Sequence, residues 1–372
     1  MTDESVTVPT DAPQASADES VADEKTVATR ARATTEVVEV PAVPSATITP
    51  EELATATRQL VAVSNAFSDR IVGQDHLRWS FLITLLASGH ILIESVPGLA
   101  KTVAGHTLAS SVAAEFTRIQ CTPDLLPSDI TGTQVLDAKT GTFTTRLGPV
   151  HANFVLLDEI NRASAKTQSA MLEAMQERQT SIGGTIYPVP SPFMVIATQN
   201  PIEQEGTYLL PEAQLDRFLF KDVLTYPSIE QEVTILKRLE QGVFDSEPTE
   251  GVIDTADVLA LQALTKRVYV DEALTNYIVR LVDATRNPDA HIGAHLGGLI
   301  EIGASPRASI AFAQASRAHA LLSGRAHVIP EDIKAIAHRV LRHRILLGFE
   351  AGVEGVTSDT IVDAIVAAVP SP

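Results

Sequence analysis

Cysteine is almost absent. Cys121 is the one cysteine in 372 residues, which excludes an intrachain disulfide and any multi-cysteine metal site and fits a reducing compartment. Cys121 itself reads as a small buried hydrophobe. Long apolar runs are missing too. None reaches the roughly 18–20 residues that cross a bilayer, and the acidic, polar start lacks the basic-then-apolar pattern of a secretory signal. These absences predict a cytoplasmic protein with no stable membrane insertion. Basic charge is also scarce, with 28 Lys and Arg against 46 Asp and Glu and a formal net charge of −18. Nucleic-acid binders draw much of their affinity from cations that neutralise phosphates. No basic, aromatic-interleaved run marks a single-strand groove either, so no nucleic-acid partner is expected.

What is present is uneven along the chain. Residues 1–47 are rich in Thr, Ala, Ser, Val, Pro and acidic residues, with few large apolar side chains. Such a stretch cannot bury enough surface to offset its ordering entropy, so it reads as a disordered acidic tail. Thr49, followed by Pro50, Glu51 and Glu52, reads as the N-cap of a first helix. From there to about residue 225, short apolar runs alternate with helical periodicity. Ile91–Ile93, Phe154–Leu157 and Phe193–Ala197 are strand-sized and nearly all apolar, the pattern of parallel strands buried on both faces. Two hairpins are expected between them, turning at Lys139-Thr140-Gly141 and at Gly183-Gly184. Residues 226–372 show only helical spacing, as in Ala273–Arg286, Ala308–Leu322 and Glu331–His343. The reading is an α/β domain over 48–225 and an all-helical domain over 226–372, each with its own core.

Three strand ends carry the chemistry. Ser95-Val96-Pro97-Gly98-Leu99-Ala100-Lys101-Thr102 follows the first apolar strand and opens a helix at Lys101, Thr102 and Val103. A phosphate loop needs inward backbone N–H groups, a helix N-terminus, a lysine for the terminal phosphates and a hydroxyl for Mg²⁺. The strict pattern has glycine where this chain has Ser95 and Ala100. The second apolar strand runs into Asp158-Glu159, where Asp158 suits the magnesium shell and Glu159 the attacking water. The third ends in Thr198-Gln199-Asn200, where a buried amide at Asn200 suits a γ-phosphate or that water. His291, His295, His338 and His343 lack tight ligand spacing and read as surface or capping residues.

These motifs, with Arg118-Ile119-Gln120, Thr122–Gly132, Gly148-Pro149-Val150, Ile160–Ala163 and Leu215-Asp216-Arg217-Phe218, resemble the MoxR family of AAA+ ATPases over nearly everything beyond residue 50. The resemblance implies a P-loop AAA+ domain with a parallel sheet and a smaller helical lid, using ATP and Mg²⁺. It places Val72 and Gly73 beside the adenine, Asn200 at sensor 1 and Arg307 at sensor 2, where a lid arginine meets the γ-phosphate. Arg217 becomes the arginine finger that completes a neighbour's site, with Arg162 its rival, and the hairpins match the helix-2 and pre-sensor-1 insertions. A ring of copies, of six by that analogy, is implied, acting on a client protein that often carries a von Willebrand factor A domain. Two alternatives accompany this reading: a magnesium-chelatase-type motor subunit, and a nucleotide-binding switch of low turnover, which Ser95 favours.

Overall fold

The computed structural model describes residues 47–201, 208, 210–243 and 251–372. The acidic tail expected over 1–47 therefore lies almost wholly outside the described residues. In chain order the first part runs α1 (Pro50–Arg70), α2 (Asp75–Leu86), β1 (Ile91–Glu94), α3 (Lys101–Ser111), β2 (Phe116–Gln120), α4 (Pro127–Thr131), β3 (Gly132–Asp137) and β4 (Thr142–Leu147). It continues with β5 (Phe154–Asp158), α5 (Ala165–Glu177), β6 (Gln179–Ile182), β7 (Thr185–Pro188), β8 (Met194–Gln199), α6 (Glu212–Leu215) and β9 (Phe220–Val223). The remainder is α7 (Ile229–Glu240), α8 (Thr255–Arg267), α9 (Glu272–Arg286), α10 (Asp289–Gly297), β10 (Ile300–Ile302), α11 (Pro306–Leu322), α12 (Pro330–Leu341), β11 (Leu346–Leu347), α13 (Phe349–Glu354) and α14 (Ser358–Ala368).

Thr49 caps α1 in a reciprocal box: its hydroxyl accepts the Glu52 N–H, and the Glu52 carboxylate accepts the Thr49 N–H. Five strands form one sheet in the order β2-β5-β8-β1-β9, and every neighbouring pair is parallel. The insertions fold as the antiparallel hairpins β3–β4 and β6–β7.

Because strand side chains alternate, each apolar strand feeds two cores. Ile91, Ile93, Phe154, Leu156, Met194 and Ile196 join a cluster with α1, α2, α3 and the helices beyond residue 226. Leu92, Val155, Leu157, Val195 and Ala197 face the other way, onto Met171, Leu172 and Met175 of α5. The two cores are thus divided by the sheet and not at residue 225 as expected, since helices α9, α11, α12 and α14 pack into the first cluster. A second departure is the two-stranded ribbon β10–β11 within the otherwise helical region. Two or three residues are too few to show a period of two against helical neighbours.

Candidate active site

Parallel strands bring their carboxyl ends to one edge, and there the three sequence motifs meet. The Ser95 N–H donates to the Gln199 carbonyl at 3.1 Å, stitching the start of the phosphate loop to the end of β8. The loop turns through Gly98 at φ +85° and Ala100 at φ 53°, and α3 begins at Lys101. A left-handed alanine costs about 1–2 kcal/mol, so the glycine slot keeps its backbone shape although the residue differs. No side chain caps α3. Its first-turn N–H groups face the loop without a side-chain acceptor, the arrangement that suits an anion.

Lys101 Nζ donates to Ser95 Oγ at 2.6 Å and to the Val96 carbonyl at 3.1 Å. Ser95 is buried, so the side chain in the first glycine slot is a hydrogen-bond partner for the lysine. Burial lowers the Lys101 pKa, and Asp158 and Glu159 oppose that shift, which puts the ammonium within the field of both carboxylates. Pro97 and Gly98 are exposed at the loop tip, Leu99 is buried beneath it, Thr102 is half-buried and Val103 is exposed.

Asp158 Oδ2 accepts from Arg118 Nη2 at 2.5 Å and Nε at 3.2 Å, and its Oδ1 accepts from Thr198 Oγ1 at 2.8 Å. The Thr198 hydroxyl in turn accepts the Glu159 N–H at 2.8 Å, so one threonine of β8 ties both acids. Glu159 sits at φ 59°, a conformation that non-glycine residues adopt only where surrounding structure enforces it. Its Oε2 accepts from Gln120 Nε2 and from Arg162 Nη1, both at 3.2 Å. Arg162 therefore pairs with the acid of its own chain. Asn200 is buried at the same edge. Cys121, one residue past β2, is buried as expected, and burial with the two nearby carboxylates pushes its thiol up to about 12. Val72 and Gly73 form the turn between α1 and α2. Gly73 has φ +74°, and a Cβ there would lie 2.7 Å from the Gln231 side chain.

Arg217 and Arg307 lie elsewhere. Residues 216–219 lead into β9, and Ser88–His90 lead into β1, so both segments occupy the amino edge of the sheet. α5 runs back from the acids to that edge, where the Met175 carbonyl accepts from His90 Nε2 and Arg178 donates to the Ser88 and Phe193 carbonyls. A cavity of about 250 Å³ there is lined by Arg178, Asp216, Arg217, Arg307, Gln314 and Arg344, among others. Four strand residues separate the two edges by roughly 13 Å, beyond the reach of an arginine side chain. Arg307, expected over the phosphates, instead stands 3.5 Å from Gln176 at the far end of α5. The Arg217 side chain has no hydrogen bond or ion pair among the described residues, and its Nε is buried without a partner.

The histidines also separate. His295 is exposed beside Glu354, and His338 faces Asp363. His343, read as a surface or capping residue, is buried just past α12, with Nε2 donating to the Phe218 carbonyl.

The ATPase family associated with various cellular activities matches residues 90–220, and the AAA lid domain matches residues 297–365. Chaperone MoxR1 of Mycobacterium tuberculosis is 48% identical over 302 residues, covering 81% of this chain and 79% of that one. The chain belongs to the MoxR family of AAA+ ATPases. Within that similarity, the uncharacterized protein YeaC of Bacillus subtilis is 46% identical over 302 residues, covering 81% of this chain and 91% of its own. A crystal structure of a provisionally named ATPase from Cytophaga hutchinsonii superposes with a TM-score of 0.81 at 43% identity, over 87% of this chain and 97% of that one.

Several residues of this MoxR-family site had no role assigned from sequence, although most of them lie within the motifs. Arg118, Gln120 and Thr198 hold the two acids, and Asp216 and Arg344 line the second cavity. Arg118 and Gln120 had a signal: their polar–apolar–polar spacing puts both on one face of β2, and Gln120 pairs in register with Asp158. Nothing local distinguishes Arg344 from the arginines around it.

Proposed function

We propose that the chain hydrolyses ATP at a composite site, one half supplied by the carboxyl edge of its sheet and the other by Arg217 of a neighbouring copy. The single observation that carries this reading is the separation of the motifs. Arg217 has no side-chain partner among the described residues and stands at the edge opposite its own phosphate loop. A permanently charged planar guanidinium suits developing phosphoryl charge. Arg307 shares that edge, so it serves the same neighbour.

The uncapped N-terminus of α3 and the loop N–H groups fit a nucleotide's phosphates, with Lys101 turning from Ser95 to the terminal ones. Val72 and Gly73 flank the adenine. Thr102 and Asp158 would hold Mg²⁺, which would withdraw charge from phosphate oxygens. Asp158 exchanges its bond to Arg118 for that role. Glu159, released from Gln120 or Arg162, orients water and accepts its proton, and Asn200 holds that water or the γ-phosphate.

Closure of such sites makes a ring of copies, of six by family analogy, in the cytoplasm. The work done is remodelling or activation of a client protein, chaperone-like, with a von Willebrand factor A domain as the candidate client feature. The bond between Ser95 and Lys101 favours a second reading, a nucleotide switch that turns over slowly, and steady-state ATPase measurement separates the two.

The composite site is tested by mixing Arg217→Ala subunits with Glu159→Gln subunits. Each variant alone is expected to be nearly inactive. Mixed oligomers regain activity, because an intact Glu159 then meets an intact Arg217. Mixtures that exchange subunits yet stay inactive at every ratio would overturn the reading, and Arg162 would replace Arg217 in the same experiment.

A further inference from the structure

The chain leaving α12 grips the segment that carries Arg217. The Arg344 side chain is only 2% exposed. Its Nε donates to Asp216 Oδ1 at 2.7 Å, Nη2 to the Phe218 and Asp216 carbonyls at 2.6 and 3.2 Å, and Nη1 to the Leu219 and Val340 carbonyls at 3.3 and 2.5 Å. A guanidinium has five N–H donors, and these acceptors use them all. His343 Nε2 donates to the Phe218 carbonyl at 3.1 Å, and Arg342 Nη1 to the Lys221 carbonyl at 3.3 Å. Three consecutive side chains of the lid thus hold the backbone from Asp216 to Lys221.

Ser305 closes the arrangement. Its hydroxyl donates to Asp216 Oδ2 at 2.7 Å and accepts the Arg307 N–H at 3.1 Å. One hydroxyl links the carboxylate next to Arg217 with the backbone of Arg307. Among the described residues nothing holds the tip of Arg217, so its direction is set by the backbone beneath it. That backbone is fastened to the lid.

We propose that Arg344 and Ser305 are positioning residues for the trans arginine, and that they join Arg217 and Arg307 into one unit that moves with the lid. A shift of the lid in one copy then changes the guanidinium presented to the next copy's phosphates. The proposal rests on the composite-site reading above. It assigns no contact with nucleotide to Arg344 or Ser305.

The test uses the full chain. Ser305→Ala removes the link while leaving the buried guanidinium in place, and Arg344→Lys keeps a charge for Asp216 but loses the fork. Turnover is expected to fall roughly 10-fold to 100-fold, the scale of a displaced catalytic group. Directly titrated ATP affinity stays near wild type, and Ser305→Thr recovers most of the activity. The loss should also be one-sided. Ser305→Ala subunits mixed with Glu159→Gln subunits regain activity, since the latter supply an intact finger; mixed with Arg217→Ala subunits they do not. Wild-type turnover in both Ser305→Ala and Arg344→Lys, with Arg217→Ala inactive, overturns the proposal and leaves the finger standing. Loss that Glu159→Gln subunits fail to recover also overturns it, because the damage then lies in the chain's own ATP-binding half. Full turnover in Arg217→Ala removes the composite-site reading instead. If Arg344→Lys does not fold, Ser305→Ala decides alone.

Discussion

The two edges of the central sheet satisfy their charges differently. At the carboxyl edge, Lys101, Asp158 and Glu159 each hold a polar partner from the same chain. At the amino edge the arginines divide. Arg178 and Arg344 spend their donors on backbone carbonyls and Asp216. Arg217 has no side-chain partner among the described residues, and Arg307 has one contact at 3.5 Å. A buried guanidinium must be satisfied to be tolerated at all. One left unsatisfied at a half-open cavity is available to an anion from outside. The contrast separates arginines that build the fold from arginines that face a partner.

The sharpest break of that contrast is Arg217→Ala. Turnover should fall about 10³-fold or more, the lower range for arginine fingers, without a loss of thermal stability. A lowered melting temperature with proportionate loss of activity would move Arg217 among the structural arginines. At the opposite edge, Glu159→Gln should lower turnover by roughly 10²-fold while direct titration still detects ATP binding. Turnover near wild type would take the role of base from Glu159.

Acid sharpens the comparison through the amino edge. His90 accepts the Val195 N–H at Nδ1 and donates from Nε2 to Met175, so it is satisfied only as the neutral ring. Burial, with help from Arg178, lowers its pKa to about 3, and burial lowers that of His343 well below the usual histidine value. Below the ordinary value near 6.5 the unfolded chain takes up protons that the folded chain refuses. Stability therefore falls as pH drops, with a slope for each histidine that approaches about 1.4 kcal/mol per pH unit once the pH is well below 6.5. Denaturant titrations at pH 7, 6 and 5 measure this slope. His90→Gln should make the slope shallower, and a flat profile in the unsubstituted chain would contradict the assignment.

The smallest effect is expected at the chain's start. The Thr47 carbonyl accepts from Arg267, and Ile48 is buried. Deleting residues 1–45 stops short of both, and the melting temperature and basal turnover should not move. A large loss of stability would show that the acidic segment packs on the body.

Legibility followed the range of the forces involved. The strands ending at Asp158 and Gln199 were visible because a parallel strand covered on both faces must be apolar throughout. Thr49 announced α1 because an N-cap followed by acidic residues is a local pattern. The ribbon β10–β11 and the burial of His343 were not visible, since each depends on what lies across the chain. Arg307 is the instructive residue. Its motif was recognisable, but its direction depends on how α11 packs against α2, α9 and α12.

By itself, the sequence determined the elements and the phosphate-loop edge. Strand, turn and helix signals are local, and the loop follows its strand within a few residues. Only the tertiary structure decided which arginines belong together. Arg178, Arg217, Arg307 and Arg344 are scattered over 167 positions of the chain, and they converge because α5 runs back along one face of the sheet while the lid packs into the core on the other. Which of them is left without a partner depends on long-range hydrogen bonds, and no local pattern encodes those.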